Sequence, residues 1–245
     1  MLTRARVGLA LALAATTLTA CGSDEVTTNG APDSGGCTVD TSYNPPFDPA
    51  KMVDGVDSPL FPLPPGMKLT YEAGEETVEI EVLNERKMIQ GVSCTVVHDV
   101  AKVSGEVIED TFDWYAQDQS GAVWYMGEDT KEYSGGVVTS TKGSWETGVK
   151  GAKPGYIIPP NPTIGQKYRQ EYYACEAEDY GEVLAINENV TVPAGSFSAC
   201  LKTRDTTPLE PAANEEKYYC PGIGIALTVD VKTQEQERLI EILQP

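Results

Sequence analysis

The sequence predicts an all-β domain, in which an antiparallel meander forms a curved half-barrel or barrel and is preceded by a disordered N-terminal tether. Beyond residue 66, apolar and polar residues alternate, as on strands with one buried face, and no segment shows a helical apolar stripe longer than two turns. The alternating runs are rich in Val, Thr, Tyr and Ile, and turn signals separate them. An open sheet of about ten strands normally curls, which favours the half-barrel or barrel.

The strand-like runs follow one another at short intervals. In chain order they are LTYEA, TVEIEVL, SCTVVHDVAKV, VIEDTFDWYAQ, AVWYMGE, KEYSGGVVTS, KYRQEYYACEA, EVLAINENVTV, SFSACLKTR, EKYYCPG, IALTVDVKT and ERLIEIL. Turn signals lie at 104–105, 119–121, 135–136, 193–195 and 221–222. The stretch Gly148–Gly165 is rich in Gly and Pro, and we expect a loop there, or a flap over one end of the sheet. Alternation places Phe112, Trp114 and Ala116 on one face of their strand and Asp113, Tyr115 and Gln117 on the other.

The amino terminus has the pattern of a bacterial export signal. Arg4 and Arg6 precede the uncharged segment Val7–Leu18, which is too short to span a bilayer as a helix. The sequence Leu18-Thr19-Ala20-Cys21 resembles the lipobox of bacterial lipoprotein precursors. The resemblance implies cleavage before Cys21, acylation of Cys21 and stable anchoring to a bilayer. Because Gly22 rather than an aspartate follows the cysteine, it also implies the outer membrane where the host has one.

These features divide the chain into three parts. Residues 1–20 are the predicted lipoprotein signal peptide. Residues 21–66 comprise the lipidated cysteine and a flexible tether rich in Pro, Gly and Ser, without apolar periodicity. Residues 67–245 form the predicted β-rich domain, and their number is sufficient for one sizeable core.

The chain is strongly acidic, with a formal net charge of −19. Without Arg4 and Arg6 the remaining 16 basic and 37 acidic residues give −21. Such a surface repels nucleic acid and anionic headgroups, so we expect no nucleic-acid partner. The acidity itself is typical of a surface that keeps an exported protein soluble.

Five cysteines remain after Cys21, and export to an oxidising compartment favours disulfides. They contain no CxxC motif, which argues against a zinc or thioredoxin-type site. Four can pair, and the pairs we prefer are Cys94–Cys200 and Cys175–Cys220, with Cys37 as the free thiol. The spacing alone does not decide this connectivity.

Several long motifs resemble a family of uncharacterised bacterial secreted proteins and lipoproteins. They lie at 110–130, 143–155, 168–179, 190–211 and 217–226. The resemblance implies a secreted β domain without an assigned activity. It also implies that Cys94 and Cys200 recur as a pair, whereas cysteines at 175 and 220 are unusual.

Aromatic residues cluster on adjacent predicted strands. As candidates for a ligand site we take Trp114, Tyr115, Trp124, Tyr125 and Trp145. They could line an apolar groove for a hydrophobic or glycan ligand. The alternative is that they are ordinary sheet core and cross-strand pairs.

Catalytic chemistry has little support in the sequence. The single histidine, His98, lies in a strand beside an aspartate, and no G-x-S-x-G motif is present. A glycosidase would need two carboxylates that face each other across a cleft, which the sequence cannot show. Oxygen ligands for calcium are available in one hairpin, although no EF-hand loop is present; the candidates are Asp110, Asp113, Asp118, Glu128 and Asp129.

Together these features predict a membrane-anchored protein of the cell envelope whose β domain is non-enzymatic. It would bind a hydrophobic or glycan ligand, or an envelope protein, and would need no cofactor. The alternatives are a structural or interaction module, which calcium could stabilise, and an acidic-residue glycoside hydrolase.

Overall fold

The computed structural model describes residues 39–245, together with the backbone of Arg6–Val7 and Leu11–Ala12. Most of the predicted signal peptide, as well as Cys21 and Cys37, lies outside these residues. The described chain contains one 3-10 helix, Pro49–Lys51, and no α-helix. No helix in this part is long and apolar enough to cross a membrane. The strands are β1 (Arg6–Val7), β2 (Leu11–Ala12), β3 (Met52–Val53), β4 (Lys68–Ala73), β5 (Glu76–Ile89), β6 (Val92–Val103), β7 (Glu106–Asp118), β8 (Val123–Ser134), β9 (Val137–Ser140), β10 (Trp145–Glu146), β11 (Lys153–Ile158), β12 (Lys167–Arg169), β13 (Glu171–Tyr172), β14 (Tyr180–Val192), β15 (Gly195–Thr206), β16 (Asn214–Cys220), β17 (Gly224–Asp230) and β18 (Gln236–Leu243).

Two antiparallel meanders build a 16-stranded sheet that is nearly closed into a barrel. One meander runs through β4 to β8 and the other through β14 to β18, and β18 pairs with β4 to join them. The predicted all-β, barrel-like meander is therefore confirmed. The turn signals at 104–105, 119–121, 135–136, 193–195 and 221–222 lie between consecutive strands or at a strand's first residue, because the chain there reverses tightly.

One short segment of chain closes the barrel. Its first part, β12, pairs with β14 at one end of the sheet, and its second part, β13, pairs with β11 at the other end. The kink between them lies at Gln170, whose N–H donates to the carbonyl of Asp179. We call residues 167–172 the seam. The seam is narrow, since β12 and β13 comprise three and two residues.

The segment Gly148–Gly165, predicted to be a loop or flap, contains a strand of the barrel wall. Its residues Lys153–Ile158 form β11, which pairs with β8 on one edge and with β13 on the other. Gly155 permits close approach to the seam, because a Cβ at this position would lie 2.4 Å from the carbonyl oxygen of Arg169. The prediction was wrong because Gly and Pro usually mark loops. Here Gly155 instead allows β11 to approach the seam closely.

Strand alternation gives the wall two buried faces. The interior cluster includes Val97, Tyr115, Tyr125, Leu201 and Tyr219. An outer cluster lies on the opposite face of β5 to β8 and contains Ile89, Val92, Cys94, Val96, Trp114, Ala116, Trp124 and Met126. The two faces predicted for the strand at 112–117 are those observed.

The arm that precedes β4 covers part of both faces, so the domain begins before the predicted boundary at residue 67. Phe47 packs on Trp124, and β3 pairs with β7, on the outer side. The arm then enters the barrel, where Phe61 and Leu63 are buried in the interior cluster. Residues 39–66 are thus a packed part of the domain and not a flexible tether, because apolar residues among the prolines give them a core to pack on.

The predicted disulfide connectivity was wrong. Cys200 is bonded to Cys220, because β15 and β16 are neighbours in a register that places the two residues opposite each other, with their Cα atoms 4.2 Å apart. Cys94 is a free, buried thiol in the outer cluster, on the opposite face of the wall and separated from β16 by four strands. Burial raises the pKa of Cys94 to about 12, which makes the thiol unreactive. Cys175 is also disulfide-bonded, and Cys220 is not its partner.

Candidate functional site

The barrel interior changes from apolar at one end to acidic at the other. The apolar end is filled by the arm, with Phe61, Leu63 and Met67 packed against Val82 and Ile225. The space left between them is about 20 Å³, which is room for one water molecule. This end is a packed core and offers no volume for a hydrophobic ligand.

A layer of tyrosines separates the two ends. Tyr115 stacks on Tyr125 with 5.0 Å between ring centroids, and Trp145 meets Tyr125 edge-on at 5.4 Å. The hydroxyl of Tyr125 donates to Oδ1 of Asp113 over 2.5 Å. The hydroxyls of Tyr115 and Tyr219 are buried and have no hydrogen-bond partner among the described residues.

Beyond this layer the interior is lined by carboxyl groups. They come from strands around most of the barrel and lie within electrostatic range of one another. One lysine, Lys217, is buried among them. We call the acidic members the carboxyl cluster: Asp99, Glu109, Asp113, Glu128, Glu171, Asp179, Asp205, Glu215 and Glu237.

Two pairs of cluster members face each other as register partners: Asp205 with Glu215, and Asp113 on β7 with Glu128 on β8. Asp113 and Glu128 are both almost fully buried. Burial raises the pKa of Asp113 to about 7, against the hydrogen bond from Tyr125. Burial, followed by the charges of Glu171 and Asp113, raises the pKa of Glu128 well above its usual value. Oδ2 of Asp113 and Oε2 of Glu128 have no hydrogen-bond partner in the described part of the chain.

Lys217 lies in the part of the cluster that contains Asp205 and Glu215. Its Nζ lies 2.9 Å from Oδ2 of Asp205, which also accepts from Nε2 of Gln170 over 3.0 Å. Although burial alone would lower the pKa of Lys217, the carboxylates of Asp205 and Glu215 raise it. Burial raises the pKa of Glu215 to about 8 despite the nearby lysine. One ammonium group therefore neutralises a small part of the acidic lining.

The five predicted aromatic ligand residues do not share a site. Trp114 and Trp124 lie on the outer face, whereas Tyr115, Tyr125 and Trp145 lie inside. The ammonium of Lys87 covers Trp114 at 3.3 Å from the ring centroid, and the ring of Tyr156 packs on Trp124. These residues are core and cross-strand pairs, and Trp114 and Trp124 are covered by their neighbours in the described part of the chain.

The five predicted calcium ligands are also dispersed. Asp113 and Glu128 point into the barrel, Asp110 and Asp129 lie on the outer face, and Asp118 closes the β7–β8 turn. Two strand residues three apart point to opposite faces, so alternation separates the set. Within residues 39–245 no group of three or more His, Cys, Asp or Glu side chains is arranged to hold a metal ion.

His98 lies on the outer face of β6. Its Nε2 is 2.9 Å from Oδ1 of Asp110, and its ring stacks on Phe112 at 4.3 Å. The side chain therefore makes a cross-strand pair with β7. Asp113 and Glu128 face each other as register partners and are 0% and 4% exposed.

An open groove lies next to β9 and β10. Its volume is about 560 Å³, within the range of small-molecule sites. Hydroxyl groups form much of its rim, and charges of both signs flank them. The lining residues are Thr139, Ser140, Thr141, Lys142, Ser144, Trp145, Glu146, Val149, Lys150, Tyr173 and Glu176. Of the predicted ligand residues, Trp145 contributes to this groove.

Sequence reasoning missed most of the carboxyl cluster. A signal existed in DTFDWYAQ, where Asp113 and Tyr115 fall on the same face, and similarly in KYYC, where Lys217 and Tyr219 do. An acidic or basic residue in phase with buried tyrosines indicates a polar interior, once it is known which face is inside. The local pattern could not show which face that is.

Comparisons with known proteins add little to this description. No family model and no curated protein sequence matches the chain. A solved structure described as a "putative lipoprotein" from Parabacteroides distasonis aligns with 76% of this chain and 99% of its own, at 14% identity and a TM-score of 0.45. A likeness at this level carries no argument about function. The resemblance of residues 110–226 to secreted bacterial proteins therefore stays a prediction.

Proposed function

We propose that this protein is a lipid-anchored component of the bacterial cell envelope whose barrel is a non-enzymatic module that binds a glycan. The anchor is Cys21, and the proposed ligand site is the open groove beside Trp145. In a host with two membranes, the residue after Cys21 favours the outer membrane. The anchor rests on the lipobox-like sequence, and the ligand site rests on the groove.

The groove supports a glycan because of its chemistry. Glycans are recognised by hydroxyl and charged hydrogen-bonding groups together with aromatic rings, and this groove offers Thr139, Ser140 and Thr141 next to Tyr173. The apolar cavity at the other end of the barrel holds about 20 Å³, which is too small for an acyl chain. The observation that carries the proposal is therefore a ligand-sized recess lined by hydroxyls.

The anchor is tested by Cys21→Ser in a bacterial host that is fed a radiolabelled fatty acid. We expect the wild-type protein to take up label and to fractionate with membranes. The serine variant should lose both properties, since only a thiol forms the thioether. A Cys94→Ser control removes a different, buried thiol and should retain label. If Cys21→Ser protein still carries label, the anchor is assigned to the wrong residue.

The ligand site is tested by NMR titration of the soluble domain with chitotetraose and with soluble peptidoglycan fragments. We expect amide shifts confined to residues 139–150 and 173–176. Tyr173→Ala should weaken binding about tenfold, or about 1.4 kcal/mol. Because Tyr173 also packs against the interior cluster, binding is compared at a temperature where circular dichroism shows the variant to be folded. Thr191→Ala, an exposed hydroxyl on β14, is the matched control and should bind as wild type does. If neither probe shifts the groove residues, the structural or interaction module becomes the better explanation.

A further inference from the structure

We infer that the acidic half of the barrel is a pH-sensitive switch, in which carboxyl groups are held together in protonated form and, on ionising, drive the barrel apart at the seam. This inference does not depend on the glycan groove. It rests on the burial of seven of the nine cluster members, with Asp179 and Glu237 partly exposed, and on the ratio of cations to carboxyl groups among the described residues. The ammonium group of Lys217 lies among the carboxyl groups of Asp99, Glu109, Asp113, Glu128, Glu171, Asp179, Asp205, Glu215 and Glu237.

The opposed pair Asp113 and Glu128 sets the requirement for protons. Side chains directly opposite on adjacent antiparallel strands have Cβ atoms about 5 Å apart. Two carboxylates at that distance and away from water cannot both be ionised at low cost, so at least one proton stays with the pair. A protonated carboxyl can also donate a hydrogen bond. This suits the pair, because Oδ2 of Asp113 and Oε2 of Glu128 have no hydrogen-bond partner among the described residues.

The surroundings of this pair offer further negative charge. Asp99 on β6, Glu109 on β7 and Glu171 on β13 face it, and Asp179 lies before β14. The other ionisable groups packed against it are the phenols of Tyr115 and Tyr125, and Oε2 of Glu171 accepts from Nε1 of Trp145 over 2.7 Å. The ammonium of Lys217 acts on the cluster from the side of Glu171 and Asp179, and it is already paired with Asp205.

The direction of the pH dependence follows from the raised pKa values. Burial raises the pKa of Asp113 and of Asp179 from 3.8 to about 7, and that of Glu215 and of Glu237 from 4.5 to about 8. Between these limits the folded state holds protons that the unfolded chain has released. Stability therefore decreases as pH rises from about 4 to about 8, with the slope set by the difference in bound protons.

The seam is where ionisation would act. Glu171 belongs to β13. Gln170 at the kink donates its backbone N–H to the backbone carbonyl of Asp179 and its Nε2 to the carboxylate of Asp205. The seam strands have fewer ladder bonds than the long hairpins β5–β6 and β7–β8. Repulsion within the cluster is therefore expected to open the wall between β11 and β14 before any long hairpin separates.

The experiment compares wild-type protein with Glu128→Gln, at pH 5 and pH 8. We expect the wild-type melting temperature to be at least about 10 °C lower at pH 8, since each kcal/mol shifts it by about 2–4 °C in a domain of this size. Glu128→Gln removes one ionisable partner and should reduce that difference by several degrees. Asp129→Asn changes the adjacent residue, whose side chain lies on the outer face, and should show the full wild-type difference.

Two further measurements use wild-type protein and apply even if Glu128→Gln does not fold. In wild-type protein, at least one of the side-chain carboxyl 13C signals of Asp113 and Glu128 should titrate near or above pH 7. Amide exchange corrected for its intrinsic rate should increase most in residues 167–172 as pH rises. A melting temperature that is equal or higher at pH 8, or titration of both Asp113 and Glu128 below pH 5, would overturn the switch.

Discussion

Gly155→Ala is expected to lower the free energy of unfolding by about 3 kcal/mol or more, at the upper end of the range for overpacking. The added Cβ would lie 2.4 Å from the carbonyl oxygen of Arg169 and 2.4 Å from the carbonyl carbon of Gln170. Both atoms belong to the backbone of the seam, so no side-chain rotation relieves the contact. Relief requires β11 and the seam to move apart, which breaks the pairing that closes the barrel.

The measurement is urea denaturation followed by tryptophan fluorescence, with Gly121→Ala as the control. Gly121 has φ of 84° and nothing within 4 Å of its Cβ position, so alanine there costs only left-handed strain, about 1–2 kcal/mol. Amide exchange in Gly155→Ala should increase first in residues 167–172. If the two alanine variants are equally stable, the approach of β11 to the seam is looser than the structure describes.

The sequence predicted the class of fold but could not predict the seam. Long strands such as β5, β6 and β7 are predictable because apolar and polar residues alternate over 12 to 14 residues, which gives a clear period of two. The closing strands β12 and β13 have three and two residues, which is too short for any period to appear. Their pairing depends on long-range geometry, and the Gly and Pro in β11 that allow it look like loop residues.

The interior site was only partly accessible for a related reason. Alternation placed Asp113 with Tyr115 and opposite Trp114, and the structure has them so. Both faces of that strand carry apolar residues, however. The sequence alone therefore could not show whether the face with Asp113 and Tyr115 was the interior face or the solvent face. Asp205, Glu215 and Lys217 share an interior with Asp113 and Glu128 only because the two meanders close on each other, and Glu171 links the two groups. The arm, by contrast, was misread because its prolines dominate its composition, while Phe61 and Leu63 determine where it packs.

Lys217→Met is expected to lower the free energy of unfolding at pH 7 by about 3–5 kcal/mol, as for a buried ion pair that loses one partner. Methionine retains the unbranched apolar stem, so the loss is chiefly the ammonium. Asp205 would keep its hydrogen bonds from Gln170 and Thr203, but its charge would be buried without a counter-ion. Chemical denaturation measures the effect, and Lys68→Met, which breaks an exposed pair with Glu81, should cost less than about 1 kcal/mol.

A double variant and the pH together separate charge from packing. Adding Asp205→Asn to Lys217→Met removes the stranded carboxylate and should restore at least half of the lost stability, whereas a packing defect would not be repaired. The pKa of Lys217 is raised above its ordinary 10.5, so the lysine is charged in both the folded and the unfolded chain between pH 5 and pH 8 and adds no pH dependence of its own there. The cost of Lys217→Met should nevertheless grow across that range, because Lys217 is the cation that acts on Asp179, Glu215 and Glu237, and these carboxyls ionise as pH rises. A cost that stays constant from pH 5 to pH 8 would mean that the neighbours of Lys217 do not change charge, and that the acidic lining is neutralised by some other means.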